Sequence, residues 1–147
     1  MDACYGRHER EVQHDDGIVG MHRIWNKPVA VAFIRPERFT HAIIEQQERL
    51  TLSFLGDSQE MRKAYSICGS KSGRDCDKVK ETGLHPVETQ GGSMTFEEAR
   101  LTLVCRKLYK DTLKEGNFID KDLTQWYGEK GGYHDVYVLE IEECLVR

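Results

Sequence analysis

At 147 residues, with 31% charged side chains and a formal net charge of −4, the chain fits one domain with a core of its own and not a polyanion binder. No apolar run reaches membrane-span length, no signal-peptide core opens the chain, and its basic residues are dispersed. Membrane and nucleic acid are therefore not expected as partners, and the cytoplasm is the expected setting. Five cysteines (Cys4, Cys68, Cys76, Cys105, Cys144), odd in number and without CxxC pairing, argue against a disulfide framework or a zinc site, so no metal is expected.

In chain order, residues 1–24 show histidines, paired aspartates and scattered glycines with no hydrophobic period. From Trp25 the pattern changes. Pro28 leads into the apolar run Val29–Ile34, which has strand length and is closed by Arg35-Pro36. Glu37 to Arg49 has helical character, with Ala42, Ile43 and Ile44 on its apolar side. Leu50–Leu55 alternates apolar and polar, the mark of a strand with one buried face. Gly56-Asp57-Ser58 turns the chain, and Asp57 or Ser58 caps a helix running to about Ile67.

Cys68 to Val87, "CGSKSGRDCDKVKETGLHPV", begins as a loop and turns helical near Arg74 to Thr82, with Gly83 as C-cap and Pro86 beyond the stop. "GGSMTF" turns into a long β segment, Ala99 to Tyr109. Lys110 to Gly132 is a long polar connection carrying Trp126 and Tyr127. The last strand, Val136–Val146, sets Tyr137, Leu139 and Ile141 against Val138, Glu140 and Glu142. Cys105 and Cys144 lie in apolar strand runs and read as buried small hydrophobes. Long strands with helices as connections predict a mainly β fold, a closed or half-closed barrel rather than a doubly wound sheet.

At "WNKPVAVAFIRPERFT", "CGSKSGRDCDK", "GLHPV", "TFEEARLTLVCRKLY" and "YHDVYVLEIEECLV" the chain resembles the flavin reductase-like, FMN-binding split-barrel family, in its flavoredoxin-type branch, over residues 25–147. The resemblance implies a six-stranded Greek-key barrel, a homodimer, and FMN held non-covalently near the subunit interface. It also implies NAD(P)H as reductant, or electron carriage to a redox protein partner on bound FMN. FMN presents a dianionic phosphate and a flat, partly apolar ring, so its site needs cations, hydroxyls and backbone donors beside an apolar slot. Arg35 and Arg38 would supply charge, and Thr40, at a helix start, its hydroxyl and N–H. Lys78 matches a lysine near the flavin, His134 a histidine beside the ring, and Ser72, Gly73 and Arg74 form the loop leading to that lysine. No carboxylate pair or nucleophile–base constellation nominates a proton-transfer residue. An electron carrier without its own nicotinamide turnover, or a fragment that has lost FMN, are the alternative readings.

Where the family carries a motif like "NTMTASWGG-G", this chain reads "VQHDDGIVGMHRI". Read from the second nucleotide of each codon, Val12 to Arg23 permits F-N-T-M-T-A-S-W-G-C-I-G, with Cys forced by Met21. Met1 to Gly6 likewise permits W-M-L-V-T-A, with Trp forced by Met1, which resembles the family's preceding strand. Residues 1–24 are accordingly expected to be an out-of-frame translation of the cofactor-binding hairpin, with the start at an internal ATG. The hairpin itself is then expected to be missing or disordered. A genuinely divergent arm is the alternative.

Overall fold

The computed structural model describes residues 20–129 and 131–147. Strand β1 (Gly20–Ile24) pairs antiparallel with β2 (Lys27–Ile34), from Gly20 against Val31 to Ile24 against Lys27. Trp25 and Asn26 connect them, both at positive φ (53° and 57°), the handedness that a two-residue hairpin turn between right-twisted strands requires. The aperiodic sequence before Trp25 gives no sign of β1. The remainder of the segment expected to be out of frame, with Cys4, lies outside the described residues.

Helix α1 (Phe39–Gln46) leads to β3 (Arg49–Leu55). It stops short of the expected Arg49 because that residue enters the β ladder opposite Arg106. Helix α2 (Gln59–Ser70) begins at Ser58, whose hydroxyl accepts from the Met61 amide, as the sequence predicts. Helix α3 (Lys78–Thr82) starts later than expected. Asp77 caps it by accepting from the Val79 and Lys80 amides, while the Asp75 and Cys76 amides turn back to the Ser72 carbonyl. Gly83, at φ 72°, ends α3 in the left-handed conformation glycine adopts without penalty.

A short hairpin follows, β4 (Pro86–Glu88) with β5 (Met94–Phe96), and then the two long strands β6 (Ala99–Thr112) and β7 (Asp135–Val146). Between these run two 3₁₀ turns, Glu115–Asn117 and Lys121–Trp126. The strand thus runs three residues past its expected end at Tyr109, through Lys110 and Asp111 to Thr112, and the long connection begins at Leu113.

The main sheet has the order β1-β2-β7-β6-β3, antiparallel throughout. Register shifts between Val104 and Cys105 and between Lys107 and Tyr109 interrupt the β6–β7 ladder; such bulges bend a strand and curl its sheet. This is the split-barrel architecture. Five strands stand in the sheet among the described residues, and β1 and β3 each pair on one side only.

Period-two alternation explains the core. One face collects Ala30, Ala32, Leu103, Cys105, Tyr137 and Leu139, all essentially buried, and Ile44 of α1 covers it. Each large apolar side chain so buried contributes about 2 kcal/mol. On the opposite face of β3 and β6, Thr51 donates to the Met94 carbonyl (2.6 Å), and Ser53, Thr95 and Thr102 form a hydroxyl chain at 2.9 and 2.6 Å. Strand β5 therefore covers β6 from outside, and Leu101 to Cys105 are buried without a break. Leu55, Ala64, Leu84 and Ala99 form a second cluster under α2. The four described cysteines are free thiols, and burial pushes the Cys105 thiol up to about 12. No helix among the described residues is long and apolar enough to cross a membrane.

Candidate functional site

A cavity of about 740 Å³ opens between the end of β2, the first turn of α1, the loop after α2, and β3. That size lies within the range of roughly 300–1,000 Å³ typical of small-molecule sites. Ala32, Ile34, Leu52, Phe54 and Phe96 give it apolar walls. All five residues Leu50 to Phe54 line it. Alternate residues of a strand point to opposite faces, so the cavity wraps around the edge of β3 that no strand covers among the described residues.

Six of the eight residues singled out in the sequence line this cavity: Arg35, Arg38, Thr40, Ser72, Gly73 and Lys78. Arg38 is the N-cap residue of α1 and donates to the Gly69 carbonyl (3.2 Å). Lys78 donates to the neighbouring Cys68 carbonyl (2.6 Å). Carbonyls at the end of α2, where the helix dipole is negative, thus draw two cations together at one corner. Thr40 is the second residue of α1, whose N-terminus has no side-chain cap and no acidic residue in its first turn. Unbonded N–H groups at a helix start favour an anion.

Arg35 donates to the Trp126 carbonyl (2.8 Å), and its guanidinium stands 5.2 Å from the Tyr127 ring centre. Gly73 passes close over Phe39: a β-carbon there would meet the Phe39 ring at 2.9 Å. Any side chain at that position would have to push the Phe39 ring aside.

Arg74 and His134 are not brought to the cavity wall. Arg74 is part of the loop but its side chain does not line the cavity; it donates to the Glu37 carbonyl (3.4 Å), with its guanidinium 5.8 Å from the Phe39 ring centre. His134 lies behind Arg35, its Nδ1 2.8 Å from the Tyr127 hydroxyl, in an aromatic cluster with Phe118 and Tyr133. Burial, and then the Arg35 guanidinium, hold its imidazole below the ordinary histidine range. Lys71 also lines the cavity, paired with Glu81 at 2.6 Å. Only its place beside Ser72 in the sequence hinted at this. Thr51, Ser53 and Tyr65 add hydroxyls that local sequence could not assign to a site.

A buried polar network behind α1 also escaped the sequence. Asp135, 4% exposed, accepts from His41 (2.7 Å), Thr112 (2.6 Å) and Lys110 (3.0 Å). Lys110 also pairs with Glu45 (2.7 Å), which accepts from the Tyr137 hydroxyl (2.7 Å). Burial acts to raise the Asp135 carboxyl, but the three donors outweigh it and hold it below its usual range. No group of three or more His, Cys, Asp or Glu side chains among the described residues could hold a metal ion.

A model of the flavin reductase like domain matches residues 25–147, and the chain belongs to that family. Among solved structures it resembles an FMN-binding protein from Thermus thermophilus, with 21% identity over 89% of this chain and 70% of that one, at a TM-score of 0.62. Flavoredoxin from Methanosarcina acetivorans is 19% identical over 88% of this chain, at a TM-score of 0.62. Nitrilotriacetate monooxygenase component B from Bacillus cereus is 11% identical over 87%, at 0.65. The chain spans 57% and 58% of the lengths of these last two proteins. No curated protein sequence matches it.

Proposed function

We propose that this protein binds FMN in the cavity beside α1 and acts as a flavin-dependent oxidoreductase with NADH or NADPH as reductant. The observation that carries the reading is the meeting of Arg38, Lys78 and the uncapped start of α1 at one end of an apolar-walled cavity. A dianionic phosphate fits the polar end, through charge-assisted bonds from Arg38, Lys78 and Thr40. A flat aromatic ring fits the walls of Ile34, Leu52 and Phe54. FMN, when bound, supplies the electron or hydride chemistry. The chain's part is to bind the phosphate, seat the ring and keep positive charge beside it. Arg74 and His134, one step removed, act by shaping the Ser72–Gly73 loop and by backing Arg35.

Anaerobic mixing of the full chain with FMN and either nicotinamide tests this. Loss of oxidised-flavin absorbance faster than in free solution supports the reductase. Binding without reduction favours the second reading, an electron carrier serving a redox protein partner. The absence of any flavin binding refutes both.

The chain also fits a homodimer. Fully exposed Ile119 stands with Tyr109 and Leu123 around an apolar hollow of about 630 Å³, the kind of surface that subunits cover. Sedimentation of Ile119→Asp against the parent chain reads this directly. The free thiols suit a reducing compartment, the cytoplasm. Residues 1–24 we read as an out-of-frame segment, with the domain proper at 25–147. Sequencing the coding DNA through the Trp25 codon decides this: an extra or missing base upholds it, and an intact frame refutes it.

A further inference from the structure

We infer that Asp135 is a positioning residue that fixes the rotation of α1 and thereby makes the site selective for a phosphorylated flavin over an unphosphorylated one. The inference rests on the FMN reading above.

Eight residues do not hold a helix by themselves, so the orientation of α1 comes from what it touches. Its inner side is tied at three points. His41 meets Asp135 at 2.7 Å, Glu45 one turn later meets Lys110 and Tyr137 at 2.7 Å each, and the Ile44 carbonyl accepts from Lys107 at 2.6 Å. Of these ties only the His41–Asp135 pair acts on the first turn, where Thr40 lines the cavity.

Successive side chains stand about 100° apart around a helix, so fixing His41 fixes the direction of Thr40. With side chains at a radius of about 5 Å, a helix rotation of about 20° carries the Thr40 hydroxyl roughly 2 Å, enough to break a hydrogen bond to phosphate. Asp135 is suited to the task because both its oxygens are occupied. Thr112 bonds one, while His41 and Lys110 share the other. A buried carboxylate so surrounded has one low-energy position, since moving it strands a charge. Asp135 does not line the cavity, so it acts through His41 and α1 and not on the flavin.

The test compares FMN with riboflavin, which lacks the phosphate, by fluorescence titration of the full chain and its Asp135→Asn variant. Amide exchange of α1 is measured on the same proteins without ligand. The expected result is an FMN dissociation constant raised about tenfold or more, a riboflavin constant changed by less than about threefold, and faster exchange at Thr40 to Ile44. His41→Ala should behave like Asp135→Asn, and His41→Gln, which keeps a donor near the same place, should restore FMN preference. Equal losses for both flavins overturn the selectivity, and unchanged exchange in α1 overturns the anchoring. A parent chain with no preference for FMN refutes the placing of phosphate at α1, and with it the selectivity. The exchange experiment still decides whether Asp135 sets the helix.

Discussion

Replacing Tyr137 by Phe removes one oxygen from the most enclosed part of the molecule and breaks one contact, the hydroxyl's 2.7 Å bond to Glu45. Tyr137 is fully buried, and its ring packs in the main core, so phenylalanine keeps the apolar contacts. Hydrogen bonds to charged groups contribute about 1.5–3 kcal/mol. Glu45 keeps Lys110 as partner and is 39% exposed, so water replaces part of what is lost and the lower end, about 1.5 kcal/mol, applies. With a urea m-value of about 2 kcal/mol/M, the midpoint should fall by roughly 0.7 M. Melting should drop by about 3–6 °C. Far-ultraviolet circular dichroism reads the loss of the antiparallel sheet directly. An unchanged midpoint would show that the hydroxyl does not tie Glu45 to the sheet. A loss above about 4 kcal/mol would mean that the core repacks around Phe, against the enclosure described above.

Three further outcomes follow from the same contacts. The Asp135 carboxyl titrates below its unfolded value of about 3.9. Its stabilising contribution is therefore full above that pH and is lost as pH falls toward the folded value. Melting temperatures between neutral pH and acid should decline less steeply in Asp135→Asn than in the parent, and parallel curves would contradict the assignment. Lys78→Met should weaken FMN binding by roughly tenfold or more through loss of a charge-assisted bond, with a shallower salt dependence; unchanged affinity on titration would remove Lys78 from the site. Cys105, buried and with its thiol pushed up to about 12, should resist alkylation in the folded chain and react only on unfolding, as mass spectrometry of labelled peptides would show.

Elements with a clear period were legible in the sequence, and those fixed by distant partners were not. The runs Val29–Ile34 and Val136–Val146 announce β2 and β7 because one is continuously apolar and the other alternates. Ser58 and Gly83 announce helix ends through local chemistry. By contrast, α1 ends at Gln46 with no glycine or proline to mark it, because the β3–β6 register claims Arg49. The short strands β4 and β5 exist because Ser53 and Thr102 hold Thr95 across β3 and β6, a contact no local pattern encodes.

The site divides in the same way. Family motifs brought Arg38, Thr40, Gly73 and Lys78 into view, and the fold gathers them around one cavity. The motif that carries His134 also contains Asp135, yet the two neighbours face different surroundings. His134 meets Tyr127, whereas Asp135 reaches His41, 94 residues away. His134 precedes β7 while Asp135 opens it opposite Thr112, so only the start and register of β7 could tell which of the two reaches α1.

The most direct test of the account is a fluorescence titration of the purified full chain with FMN. Saturable quenching at one flavin per chain, tighter for FMN than for riboflavin, is the predicted result. Flavin emission that stays unchanged as protein is added in excess would contradict the proposal that the cavity beside α1 is a flavin site.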